Sequence, residues 1–202
     1  MSSSSTWDSA LTATFHQKVS GRIGVLPNFF CSASAAPGLI EELWSFAESA
    51  YLDNPLPSLF KERLFVHLSR FCRARYCIVR HAGFLVGLGR PAGDAQAVPE
   101  SVQQVVELLS RPAVLPASEM EAVLSRLEAM RPPEAIPVPG SQSEYDLFMA
   151  ASVLFLNPTS SERARKALSA ALGRPQSGDS DSLSRVHQDC PLLDRNASGD
   201  SL

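Results

Sequence analysis

Glu62 to Gly89 reads ERLFVHLSRFCRARYCIVRHAGFLVGLG, and its spacing decides the fold class. Two segments within it space their apolar residues for helices, and neither alternates as a half-buried strand does. The first runs through Glu62, Phe65, Leu68 and Ser69. The second contains Tyr76, Cys77, His81 and Phe84 and stops near Gly87 and Gly89, with Pro91 just beyond. Glycine there suits the left-handed cap that closes a helix.

The same grammar extends in both directions. Pro55 and Pro57 break the chain before Ser58, which is placed to cap the Glu62 helix. Further upstream, Ser34 can cap a helix carrying Leu39, Leu43, Phe46 and Ala50 on one face. Downstream, the Pro/Gly/Ala stretch 90–99 is a connector. Val102, Val105, Val106 and Leu109 then form an apolar stripe that Pro112 ends, and Ser118 opens a helix through Met120, Val123, Leu124 and Leu127. The four prolines of RPPEAIPVPG (131–140) demand a loop. Two helices follow, one from Tyr145 to Leu156 and one capped by Thr159 with Glu162 in capping-box spacing. Phe148, Val153, Leu154 and Leu168 are their expected core residues. The predicted class is all-α, a helical bundle.

Residues 1–14 and 174–202 are polar and rich in serine, so they are expected to be disordered termini around one helical domain, 15–173. The 131–140 linker leaves open that 141–173 forms a docking hairpin of its own. The chain has 202 residues and a net charge of −3, from 18 basic and 21 acidic side chains, which gives no basis for a nucleic-acid partner or an anionic membrane surface. No run approaches the roughly 20 apolar residues of a membrane span, and the N-terminus lacks the charged-then-apolar order of a secretory leader. Four cysteines (Cys31, Cys72, Cys77, Cys190) are too sparse for a disulfide scaffold. A reducing, cytoplasmic setting is expected.

Cys77 and His81 are four residues apart and therefore share a helix face. An imidazole so placed can reach the thiol directly or through one water and act as the base that generates the thiolate. Arg73 and Arg80 occupy neighbouring rows, where a guanidinium would further lower the thiol pKa. Glu62, on the preceding helix, is a natural orienting partner for His81. Nucleophile, base and orienter together make the pattern of an activated cysteine. Metal binding by Cys72, Cys77 and His81 is disfavoured, because the spacing is not a zinc pattern and a fourth ligand is missing. No metal or cofactor is expected. Cys31, after Phe29-Phe30, reads as a small core residue, and Cys190 as incidental to the tail. His67 reads as a packed or exposed helical histidine, while His16 and His187 carry no pattern. Arginines 63, 70, 73, 75 and 80 read as solvated surface with one or two neighbours of the thiol.

Gly24-Val25-Leu26-Pro27-Asn28-Phe29-Phe30, a helix starting near Pro37, Leu59-Phe60-Lys61-Glu62, and Tyr76-Cys77-x-x-x-His81 ahead of a glycine-terminated helix resemble, in order and spacing, the alkylhydroperoxidase D-like (carboxymuconolactone decarboxylase) family. The resemblance covers about residues 16–93 and weakens after 95. It implies an all-helical bundle of that type assembling into homo-oligomers. It also implies a site in which a Glu, a Cys-x-x-Cys pair and a His serve as proton relay and redox dithiol. Glu62, Cys77 and His81 match the family's glutamate, second cysteine and histidine. Position 74, where the first cysteine belongs, is Ala74.

Cys72 is the one nearby substitute. On a straight helix, residues five apart have Cα atoms about 8.6 Å apart, beyond disulfide reach. A bend between the helices near Phe71–Ala74 would bring the two thiols closer. Without a bend, a one-cysteine cycle through a sulfenic acid remains.

Three functional readings follow. The first is a thiol-dependent peroxidase-like or peroxide-sensing protein, acting on a hydroperoxide with a thiol reductant. The second is a non-catalytic oligomerisation or signal-input module, similar to N-terminal parts of some bacterial sensor histidine kinases. The third is a carboxymuconolactone-type decarboxylase.

Overall fold

The computed structural model describes residues 4–31, 37–72, 75–130, 137–157 and 161–173, with the backbone alone for 4–11 and 37. These residues form nine α-helices and no strand. They are α1 (Ser4–Ile23), α2 (Asn28–Cys31), α3 (Pro37–Ala47), α4 (Ser58–Ser69), α5 (Arg75–Leu85), α6 (Val102–Ser110), α7 (Ala117–Ala129), α8 (Gln142–Leu156) and α9 (Glu162–Leu172). A π-helical turn, Glu48–Leu52, continues α3, and a 3₁₀ turn, Pro91–Gly93, follows α5. The molecule is an all-α helical bundle.

α4 is its axis. Phe60 and Val66 join a large core with Leu85, Val105, Leu108, Val123, Leu127, Phe148 and Leu168. A smaller cluster of Val19, Ile23, Trp44, Leu52 and Phe84 lies between α1, α3 and α5. α8 and α9 share the large core with α4, so 141–173 is part of the bundle rather than a separate hairpin. α5 closes as its glycines require: Leu88 N–H bonds Gly83 O at 2.8 Å and Gly87 N–H bonds Phe84 O at 3.2 Å. Gly87 sits at φ +90°, the left-handed position of this cap.

α4 also carries an unusual polar load. Lys61, Glu62, Arg63 and His67 are all buried. Consecutive residues on a helix point about 100° apart, so 61, 62 and 63 face three different neighbours. Lys61 Nζ donates to the carbonyls of Tyr51, Leu52 and Asn54 at 2.7, 3.1 and 3.0 Å. Glu62 faces α5. Arg63 pairs with Glu144 of α8, through Nε and Nη2, and with Glu100 ahead of α6 at 2.7 Å. Charges buried in this way survive only when paired or fully hydrogen-bonded.

Several expectations are corrected. Arg63 is buried in that network. Arg70 is half-buried, donating to Leu109 O and Pro112 O at 3.2 Å and to Arg111 O, so it satisfies carbonyls at the end of α6. Neither is solvated surface. Along α3 the buried row is Ile40 and Trp44, whereas Leu39 is 58% and Phe46 37% exposed. The indole has the larger apolar area and takes the core position, rotating the face away from the expected one. In α6, Val105 and Leu108 are buried while Val102 and Val106 are exposed. Cys31 is exposed, not core. α1 begins at Ser4, ahead of the expected boundary at 15, and its Phe15 packs against the small cluster.

The caps differ as well. Ser58 is the first residue of α4 and donates to Asp94 Oδ2 at 2.9 Å instead of capping. Pro116 precedes α7, and Ser118 lies inside it. Ser101 and Gln104 form a capping box on α6 that the stripe reading passed over. The expected caps Ser34 and Thr159, most of the proline-rich loop and the C-terminal segment 174–202 lie outside the described residues.

Candidate functional site

Glu62 is fully buried, and three donors converge on its carboxylate. Oε2 lies 2.7 Å from His81 Nδ1. Oε1 accepts the Tyr51 hydroxyl and, at 2.6 Å, the backbone N–H of Ala92. Both oxygens are thus satisfied by groups from three separate elements: α5, the π turn and the 3₁₀ turn.

Tyr51 reaches Glu62 because α3 ends in the π turn. Asp53 N–H bonds Glu48 O at 2.8 Å, the i→i−5 bond that widens this turn. Lys61 holds the turn open by binding the carbonyls that it leaves without helical partners. Burial, reinforced by the Glu62 charge, raises the Tyr51 phenol well above its ordinary pKa, so it stays protonated and acts as a donor. Sequence reasoning missed Tyr51. Its one available signal was Lys61, a lysine inside an otherwise buried helix.

Ala92 adopts φ 42°, ψ 37°, a left-handed conformation that costs a residue with a Cβ on the order of 1–3 kcal/mol. The turn is closed by Gly93 N–H on Arg90 O at 3.0 Å and Asp94 N–H on Pro91 O at 2.8 Å. The Asp94 carboxylate binds Ser58 at the start of α4, fixing the turn to the helix that carries Glu62. The strain has a local consequence: it aims the Ala92 N–H at Glu62 Oε1.

His81 stacks on Phe65, with centroids 4.7 Å apart and planes 19° from parallel, and meets the Tyr51 ring edge-on at 6.1 Å. Donation of Nδ1–H to the carboxylate selects the tautomer with its lone pair on Nε2. Cys77 is half-buried on the same helix, one turn earlier, and is a thiol. Cys72 lies in the turn that leaves α4, its N–H bonding Ser69 O at 3.1 Å, while α5 begins at Arg75. The two cysteines therefore do not share a straight helix, and the separation of about 8.6 Å expected on one does not apply. Arg73 and Ala74 lie outside the described residues, as does Cys190. The Arg80 guanidinium lies over the rings of Tyr76 and Phe84, at 5.8 and 5.7 Å.

His67 is on another face of α4. Its Nε2–H donates to Ser152 Oγ at 2.7 Å, since that hydroxyl itself donates to Phe148 O at 3.0 Å. Its Nδ1 accepts from Arg70 Nη2 at 2.8 Å. It is a packed core histidine, the first of the two alternatives that the sequence left open.

Among the described residues, no three His, Cys, Asp or Glu side chains are placed to hold a metal ion, and no helix is long and apolar enough to cross a membrane. Comparisons with family models, curated proteins and solved structures give no match for this chain.

Proposed function

We propose that Cys77, His81 and Glu62 form a thiol redox centre of the alkylhydroperoxidase D-like kind, which reduces or senses a hydroperoxide. The observation that carries this reading is the 2.7 Å contact between a fully buried Glu62 and His81, one helical turn from Cys77. The carboxylate orients the imidazole, Nε2 takes the Cys77 proton, and the thiolate attacks the terminal oxygen of the hydroperoxide. The O–O bond breaks, the alcohol leaves with a proton returned from His81, and Cys77 becomes a sulfenic acid. A thiol then displaces water to form a mixed disulfide, and a second thiol releases Cys77 reduced. Cys72, in the inter-helix turn, is the candidate for the first of these thiols within the chain. An external reductant supplies the rest.

Intact-protein and peptide mass spectrometry after stoichiometric hydroperoxide, with and without Cys72→Ala, tests this. Sulfenic acid or a disulfide at Cys77 forming faster than on free cysteine supports the reading. A Cys72–Cys77 link identifies the resolving thiol. A thiol oxidised no faster than free cysteine overturns it.

A second reading, a non-catalytic oligomerisation or signal-input module, draws on the apolar side chains that α5 and its cap turn outward: Val79 is 71% exposed, Leu88 65% and Tyr76 41%. It predicts an inert Cys77 and an unchanged assembly in Cys77→Ser.

A further inference from the structure

Beside His81 lies a cavity of about 140 Å³, half open to solvent, with Ile23, Trp44, Ala47, Arg80 and Phe84 in its lining. Two of these residues carry a buried N–H with no hydrogen-bond partner among the described residues: Trp44 Nε1 and Arg80 Nε. Trp44 is only 2% exposed, so its indole has no route to bulk water. Native folds pair almost all such groups, and a buried donor left unpaired bears its desolvation cost in full. Arg80 also has no carboxylate partner among the described residues: its guanidinium lies over the rings of Tyr76 and Phe84. The other charges close by are committed. Lys18, over the Trp44 ring, pairs with Glu48, and Glu62 accepts from His81, Tyr51 and Ala92.

The chemistry of the two unpaired groups selects the occupant. Indole Nε1 and guanidinium Nε can only donate, so the polar end of the occupant must accept. An ionised carboxylate is acceptor-only, offers two oxygens and supplies the negative charge that Arg80 lacks. An amine would bring further donors and a second positive charge, and a water would bring two hydrogens of its own to a donor-only end. Arg80 is half-buried, so a carboxylate meeting it keeps part of its hydration. Ile23, Ala47 and Phe84 make the rest of the wall apolar, and a cavity of about 150 Å³ has room for about six carbons. We propose that the cavity binds a small organic monocarboxylate, its compact apolar body against Ile23, Ala47 and Phe84 and its oxygens accepting from Arg80 Nε–H and Trp44 Nε1–H. Cys77 does not line the cavity, and binding there requires no thiol chemistry.

The test uses the full chain with Trp7→Phe, leaving Trp44 as the single tryptophan of the two in the sequence. Titration with cyclopentanecarboxylate should move the indole Nε1–H resonance downfield saturably and raise the thermal midpoint. Its methyl ester, which lacks the charge, and acetate, which lacks the apolar body, should each bind at least about tenfold more weakly. Arg80→Met keeps the stem over the two rings and removes the guanidinium. It should weaken carboxylate binding by about tenfold or more and leave ester binding unchanged. Absence of a saturable shift in the parent overturns the proposal, as does equal binding of the ester or of acetate, or unchanged carboxylate affinity in folded Arg80→Met. Should that variant not fold, the comparison of acid with ester in the parent decides. Each result reads on the cavity whether or not Cys77 reacts with hydroperoxide.

Discussion

Tyr51 reaches the Glu62 carboxylate from a turn of the wrong pitch for an α-helix. The π turn and the buried Lys61 that holds it open place the phenol against Oε1, opposite the oxygen that binds His81. Tyr51→Phe keeps the ring against Phe65 but removes one of the three donors to a buried carboxylate. The expected loss is about 1–3 kcal/mol of unfolding free energy, read by urea denaturation. A loss below about 0.5 kcal/mol, the size of an ordinary surface substitution, would show that the phenol contributes little there.

The proposed relay makes a kinetic prediction. In it, Nδ1 of His81 is held by Glu62 and the Nε2 lone pair takes the Cys77 proton. His81→Gln should slow iodoacetamide alkylation of Cys77 at pH 7 by about tenfold or more and move its pH–rate profile to higher pH. Glu62→Gln should give a smaller effect of the same sign, because the amide can still accept Nδ1–H but carries no charge. An identical profile in His81→Gln would remove the imidazole from thiol activation.

The sequence made the helical class legible because it rests on local spacing, and it suggested the Glu62–His81 pairing because the two residues lie on consecutive helices. The i, i+4 placement of Cys77 and His81 and the glycines after Phe84 follow from one helix and its cap. What escaped was set by neighbours distant in the chain. The Glu48–Leu52 segment continues an α-helical pattern, and nothing local marks it as the π turn whose last carbonyls Lys61 of α4 binds. Arg63 looks like a surface charge until Glu144, 81 residues away, supplies a buried partner. Ala92 sits between proline and glycine in what composition marks only as a connector. Its left-handed backbone belongs to a turn that Asp94 fastens to Ser58 of α4.

That Arg63 network should behave as a unit. Arg63→Met leaves the Glu144 and Glu100 carboxylates buried, with Arg111 as the remaining cation on Glu144. A loss of about 3–5 kcal/mol is expected, since removing one partner strands a buried charge. Burial already raises the pKa of Glu100, and removing Arg63, whose charge and hydrogen bond lower it, should raise it further. Combining Arg63→Met with Glu100→Leu and Glu144→Gln should restore much of the loss. If the triple variant were less stable than the single one by the sum of the separate effects, the network would not be coupled.

His67 gives the fold a pH dependence of known sign. Burial, helped by the charges of Arg70 and Arg111, lowers its pKa from 6.5 to about 3, and its hydrogen bonds require the neutral ring: Nδ1 accepts and Nε2–H donates. Above about pH 6.5 the histidine is neutral in both folded and unfolded chains, and its contribution is constant. Below that, the unfolded chain binds a proton that the folded one refuses, so stability falls with pH. The expected slope approaches about 1.4 kcal/mol per pH unit and continues toward pH 3, where the folded ring titrates. Urea denaturation between pH 7.5 and pH 5, ahead of most carboxylate titration, should show the slope in the parent and its loss in His67→Gln. Were the parent flat across that window, His67 would have to be accepting protons inside the fold, and the tautomer assigned to it between Arg70 and Ser152 would be wrong.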